Sequence, residues 1–285
     1  MPFESIILNL LTGESIAKLL TAYGNEPAVF YQFVPSDVST AWRNEKQFPR
    51  ICFYYDMQAN QERKSSGTLN VSVYCKNSAD EIIPEVVSSQ VKECLRDIII
   101  RPDRTYGLSW ANTAPFDMED NIIGEDILFD IIEYPGQITT DPDPIDAMNE
   151  YISQIIPDAI IIGRDPLENV TRSSVLRPLI YCRLESVETD RVSHTVAWMN
   201  ARIAIHIFCP DPEVRKKIIM AIAIRLSVDG EVIMVDKSPM IINRLQVDFN
   251  SDYLTTGQLF ATTNYGIVRY KDKKKALNPV AGTTY

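Results

Sequence analysis

Near the middle of a 285-residue chain runs Pro135-Gly136-Gln137-Ile138-Thr139-Thr140-Asp141-Pro142-Asp143-Pro144. Its three prolines fix φ and withhold backbone donors, so neither a helix nor a central strand can pass through. Asp-Pro-Asp-Pro reads as extended or turning backbone. The chain is therefore expected to fold as two bodies joined near its midpoint, and its length suits two domains. The modules fall at 1–136 and 145–270, with a Pro/Asp-rich linker at 137–144 and a flexible basic tail at 271–285. A linker of this composition is expected to carry few contacts, so a cut within 136–144 should release two separately folding pieces.

The two sides match in order of elements. Each opens with a helical pattern: Phe3 to Tyr23, with Ile6, Leu10, Leu11, Ile16, Leu19 and Leu20 apolar, and Ile145 to Ile162, with Met148, Ile152, Ile155 and Ile156. A polar stretch leads to a strand entered through proline, Pro49-Arg50-Ile51-Cys52-Phe53-Tyr54-Tyr55 or Pro178-Leu179-Ile180-Tyr181-Cys182-Arg183-Leu184. The next strand alternates with period two. Leu69, Val71, Val73 and Cys75 share a face in one half; Ile203, Ile205, Ile207 and Cys209 share one in the other, opposite Arg202, Ala204, His206 and Phe208. Both end in aromatic-Cys and lead to an amphipathic helix. Asp211-Pro212-Glu213 supplies the second helix with an N-cap, a proline at N1 and an acidic first turn. The first starts at Asp80 or at Pro84. A closing strand carries Leu128-Phe129 with Tyr134, and Leu259-Phe260 with Tyr265, both offset by 131 residues (259 − 128 and 265 − 134). The expected class is α+β: two similar modules, each a mixed, mainly antiparallel sheet flanked by helices.

Chemistry is harder to find. No phosphate-cradling, dinucleotide-binding or nucleophile-elbow motif is present. The five cysteines have no C-x-x-C spacing, sit in apolar stretches and read as reduced structural residues of a cytoplasmic protein. His194 and His206 lack metal-ligand spacing, and His206 reads as a half-exposed strand residue. Glu119, Asp120, Glu125 and Asp126 read as a solvated acidic hairpin. An enzyme holding a divalent cation there is the outlying alternative, and a divalent-ion stability shift abolished by Glu125→Ala would reveal it. Neither catalytic nor cofactor- or metal-binding residues are assigned. A formal net charge of -10 disfavours binding to nucleic acid or anionic membrane. Trp42 with Arg43, Trp198 with Arg202, and Lys273 with Lys274 in the basic tail are the candidate protein-interface residues, since tryptophan and arginine concentrate at interface hot spots.

Phe48-Pro49-Arg50-Ile51-Cys52-Phe53-Tyr54, the alternating strand Thr68 to Cys75, the helix after it and the final strand together resemble the tail-terminator, or tail-completion, family of long-tailed bacteriophages and contractile injection systems. The likeness covers Phe3 to Tyr134 best and Ile145 to Val268 less well. It implies a compact α/β module, six of which form a ring that ends tail-tube polymerisation and docks the head connector. Implied partners are copies of itself, tube, sheath and head–tail connector proteins. On charge alone, the basic run from Arg269 to Lys275 is expected near DNA in the lumen of such a ring, and no membrane partner is expected because no apolar run is long enough to span a bilayer. The implied location is the virion tail or neck, assembled in the host bacterial cytoplasm. Two modules in one chain depart from the family's single module, so another neck, head-completion or baseplate connector is the alternative.

Overall fold

The computed structural model describes residues 1–42, 46–57, 66–78, 82–137 and 139–269. The first half contains helices α1 (Phe3–Leu11) and α2 (Glu14–Ala17) and strands β1 (Ala22–Tyr23), β2 (Glu26–Pro27), β3 (Val29–Tyr31), β4 (Arg50–Met57) and β5 (Gly67–Lys76). Helix α3 (Pro84–Leu95) follows, then β6 (Ile98–Ile100), β7 (Tyr106–Met118) and β8 (Ile122–Glu133). The second half contains α4 (Pro144–Ile155), β9 (Ile160–Ile162), β10 (Val170–Arg172), β11 (Leu179–Val192) and β12 (Val196–Phe208). Helix α5 (Pro212–Asp229) and strands β13 (Glu231–Ile233), β14 (Pro239–Val247) and β15 (Leu259–Val268) complete it.

The architecture is α+β with two mixed, mainly antiparallel sheets. One runs β10-β6-β7-β8-β5-β4-β3 and the other β13-β14-β15-β12-β11-β9. Setting β10 aside, the orders correspond strand for strand. The parallel pair also falls at the same place, β3 on β4 and β9 on β11. In each sheet one face packs on helices: α3 against β5, β7 and β8, and α5 against β12, β13 and β14. The apolar faces expected from alternation are the ones buried there, with Leu69, Val71, Val73 and Cys75 in one core and Ile203, Ile205 and Ile207 in the other. No helix among the described residues is long and apolar enough to cross a membrane.

Local chemistry sets the helix ends. Asp211 caps α5 by accepting from Glu213 N at 2.8 Å and Val214 N at 3.2 Å, and Gly230 closes it at φ 69°. Helix α3 begins with Pro84 at its first position; Asp80 lies outside the described residues. The opening helices are shorter than expected. Extended backbone at Gly13 ends α1, Thr12 Oγ1 donates to Leu8 O at 2.9 Å, and Ala22–Tyr23 turns back as a hairpin with Glu26–Pro27. Pro157 stops α4, and the β-branched run at 160–162 becomes a strand instead.

Strand register corrects one sequence match. Ile51 lies opposite Val73 and Ile180 opposite Ile207, so the first two long strands of both sheets correspond through Tyr74-Cys75 and Phe208-Cys209. On that scale Leu69 corresponds to Ile203. Leu69 faces Phe129, whereas Ile203 faces Ala261, not Phe260. The Leu-Phe…Tyr alignment is thus one residue out of step, and one residue exchanges the faces of a strand. Tyr265 accordingly lies inside the second core, while Tyr134 points elsewhere.

Two features cross the boundary drawn from the sequence. Strand β10 belongs to the second half yet pairs antiparallel with β6, Thr171 facing Ile99. A third apolar cluster joins Ile99, Ile132 and Tyr134 to Ile162, Leu179, Tyr181, Phe208 and Leu254. The linker is also fastened. Tyr181 OH donates to Pro135 O at 2.9 Å, Gln137 Oε1 accepts from Leu184 N at 3.1 Å, and Thr140 Oγ1 lies 2.7 Å from Tyr265 OH.

Candidate protein interfaces at and beside the module junction

The expected interface residues do not converge. Trp42 is 5 % exposed, packed edge-on against Tyr23 at 4.9 Å and Phe30 at 5.7 Å, with Nε1 donating to Ser36 O at 3.0 Å. It closes the rim of the first module. Arg43, Lys273 and Lys274 lie outside the described residues. Trp198 sits within β12, half-buried, with the Arg191 guanidinium 4.9 Å from its ring. Arg202, one pleat pair along the same face, donates from Nε to Glu185 Oε2 at 2.7 Å and covers the Phe260 ring at 5.0 Å. These residues form an aromatic and charged surface on the outer face of the second sheet.

The inner end of that same face has a different fate. His206 was expected to be half exposed, but it is 1 % exposed. Two-residue alternation assigns one face of β12 to its own core and says nothing of what covers the other; Tyr134 from the first module and the 248–257 segment cover it here. The imidazole lies among Tyr181 at 5.6 Å, Tyr134 at 6.3 Å and Phe208 at 6.4 Å, with Nδ1 3.0 Å from Tyr253 O. Its Nε2 has no hydrogen-bond partner among the described residues. Burial lowers its pKa to about 4, Arg183 assisting, against the opposing pull of the Tyr253 bond, Asp252 and Glu185.

A stability consequence follows. Above pH ~6.5 the imidazole is neutral in both folded and unfolded chains, and its contribution is complete. Between ~6.5 and about 4 the unfolded chain takes up the proton first, so stability falls as pH falls, by about 3 kcal/mol in all. Below about 4 both states are protonated and this loss stops. Urea unfolding at stepped pH should show the slope in the wild type, and His206→Phe should remove that part of it. An unchanged slope in the variant would contradict the assignment.

The acidic residues do not gather into a site. Asp120 and Asn121 adopt φ of 62° and 53° in the turn between β7 and β8. Asp126 accepts from Ser72 Oγ at 2.5 Å across the sheet. Among the described residues, no group of three or more His, Cys, Asp or Glu is placed to hold a metal ion. None of the five cysteines forms a disulfide, and Cys75, Cys182 and Cys209 are buried.

Sequence reading missed Trp110, the third tryptophan, which lies on β7 and is 42 % exposed. It lines a groove of about 640 Å³ with Lys92, Glu93, Arg96 and Asp97 from the end of α3, and Arg172 and Pro210 from the second half. The Lys92 ammonium stands 5.7 Å from the indole, whose Nε1 donates to Thr113 Oγ1 at 3.0 Å. Arg172 reaches the groove because β10 is paired onto β6, and its guanidinium donates to the carbonyls of Glu93 and Cys94. The only sequence signal is that Ser109 to Asn112 breaks the apolar alternation around a large aromatic. No protein-family model and no curated protein matches this chain. What the grooves and faces can do chemically is recognition: aromatic rings beside cations, ready to take up carboxylates and soft apolar groups.

Proposed function

We propose that the chain is a structural protein whose copies assemble into a ring that caps the head-proximal end of a phage-type tail tube and docks the head connector. The observation that carries this reading is the correspondence of the two sheets, strand for strand and with the parallel pair in the same place. We take that correspondence to reflect duplication of one module. The element order within each module is the one for which the sequence resembles tail-completion proteins. The second module, joined through β10 and the aromatic cluster, supplies a further docking surface beyond a single-module ring. That same joined module favours, as the second reading, a neighbouring neck or head-completion position.

In a phage that encodes this chain, deleting its gene should leave tails of irregular length that fail to join heads. Tails of normal length with heads that remain open would move the protein to the connector position. Normal, infectious particles would contradict both readings.

A further inference from the structure

The hairpin formed by β7 and β8 carries two unlike surfaces. Toward its base lies Trp110 in the groove already described, with Lys92, Arg96 and Arg172 against Glu93 and Asp97. At its tip, residues 117–121 are all exposed, and Met118 is 53 % exposed. Asp117, Glu119 and Asp120 flank that methionine in the chain. No lysine or arginine occurs anywhere from 105 to 163. Lys76 donates to the backbone oxygen of Asp120 at 2.5 Å, and among the described residues no ion pair engages the Asp117, Glu119 or Asp120 carboxylates.

Tip and groove are complementary in two respects. The tip offers a flexible exposed thioether between acidic residues. The groove offers an indole face ringed by three cations and two carboxylates, a net positive charge. Methionine sulfur packs well on aromatic rings, and aromatic and arginine side chains in a pocket carry most of the energy of protein interfaces. The tip cannot reach its own groove. Strands β7 and β8 pair from Tyr106–Glu133 to Met118–Ile122 with one bulge, between Trp110 and Asn112, so eight residue steps of paired strand separate Trp110 from Met118. That is roughly 25 Å at about 3.3 Å per residue.

We propose that the tip of one copy's β7–β8 hairpin, Met118 with Asp117, Glu119 and Asp120, docks into the Trp110 groove of a neighbouring copy. This rests on the ring reading and specifies its contact. A tip that meets a different surface makes a head-to-tail interface, and such interfaces close into rings when the rotation permits. The groove exists only while β10 holds the second half against the first, so the joined modules and the contact are one arrangement.

The test uses two full-length variants, Trp110→Ala with Arg96→Glu in the groove, and Asp117→Lys with Glu119→Lys at the tip. Each should keep the wild-type cooperative melt. Should the groove variant lose its melt, Arg96→Glu alone replaces it, because that side chain is exposed and its ion pair is to the adjacent Asp97. Light scattering after size exclusion should show self-association weakened at least about thirtyfold in each. Mixing the two should give one-to-one dimers, since one intact tip and one intact groove remain. Wild-type rings that neither variant disturbs would overturn this contact and leave the ring reading standing. Folded, monomeric variants that stay monomeric on mixing would overturn the head-to-tail geometry. A wild type monomeric at every concentration would overturn both contact and ring.

Discussion

A fragment ending at Gln137 is expected to show no cooperative melt of its own. Sequence composition favours the opposite result, because a Pro/Asp-rich linker usually separates independent domains. The junction reverses the expectation. Without the second half, β6 loses its partner β10, and Ile99, Ile132 and Tyr134, each no more than 6 % exposed, meet water. Three large side chains at about 2 kcal/mol each amount to ~6 kcal/mol, comparable to the whole stability of an ordinary domain. The exposed β6 edge adds an aggregation route. The fragment 139–285 would likewise uncover Leu179, Tyr181, Phe208 and Leu254. Co-expressed pieces should therefore purify as a one-to-one complex with a single melt. Two monomeric pieces with separate cooperative melts would contradict the shared core.

Tyr134→Ala should be the most costly single substitution at this junction. The ring packs edge-on against Tyr181 at 5.1 Å and Phe208 at 5.4 Å, and its hydroxyl donates to Leu254 O at 3.1 Å. Gly107 makes room for it, since a Cβ there would lie 2.8 Å from Tyr134 Cε2. Removing a buried aromatic of this size costs about 3–5 kcal/mol, to which the unpaired carbonyl adds. Tyr134→Phe should cost only about 1 kcal/mol, the hydrogen bond alone. Chemical denaturation of the three proteins checks both values. A loss in Tyr134→Ala no larger than in Tyr134→Phe would show that the ring is not the keystone of the junction.

Much of each module is legible in the sequence. Alternation located the core faces of β5 and β12, because a half-buried strand must repeat every two residues. Asp211-Pro212 located the start of α5, because that pair satisfies and spares the orphan donors of a first turn. The junction was not legible, for the same physical reasons. Alternation detects one covered face, so His206 and Phe208 read as solvent-side when a distant segment covers them. Strand β10 has three residues, too few for any period to show. The Leu-Phe…Tyr match failed by one residue because identity aligns letters, whereas pairing register aligns faces. The interface candidates suffered similarly: Trp42 closes a rim, and the exposed indole in the junction groove belongs to Trp110, a residue with no polar loop around it.

The rotational symmetry of purified full-length protein in negative-stain class averages tests the functional account most directly. Closed rings of six-fold symmetry with a central channel are the expected result. Particles that remain single two-module bodies at every concentration would contradict it.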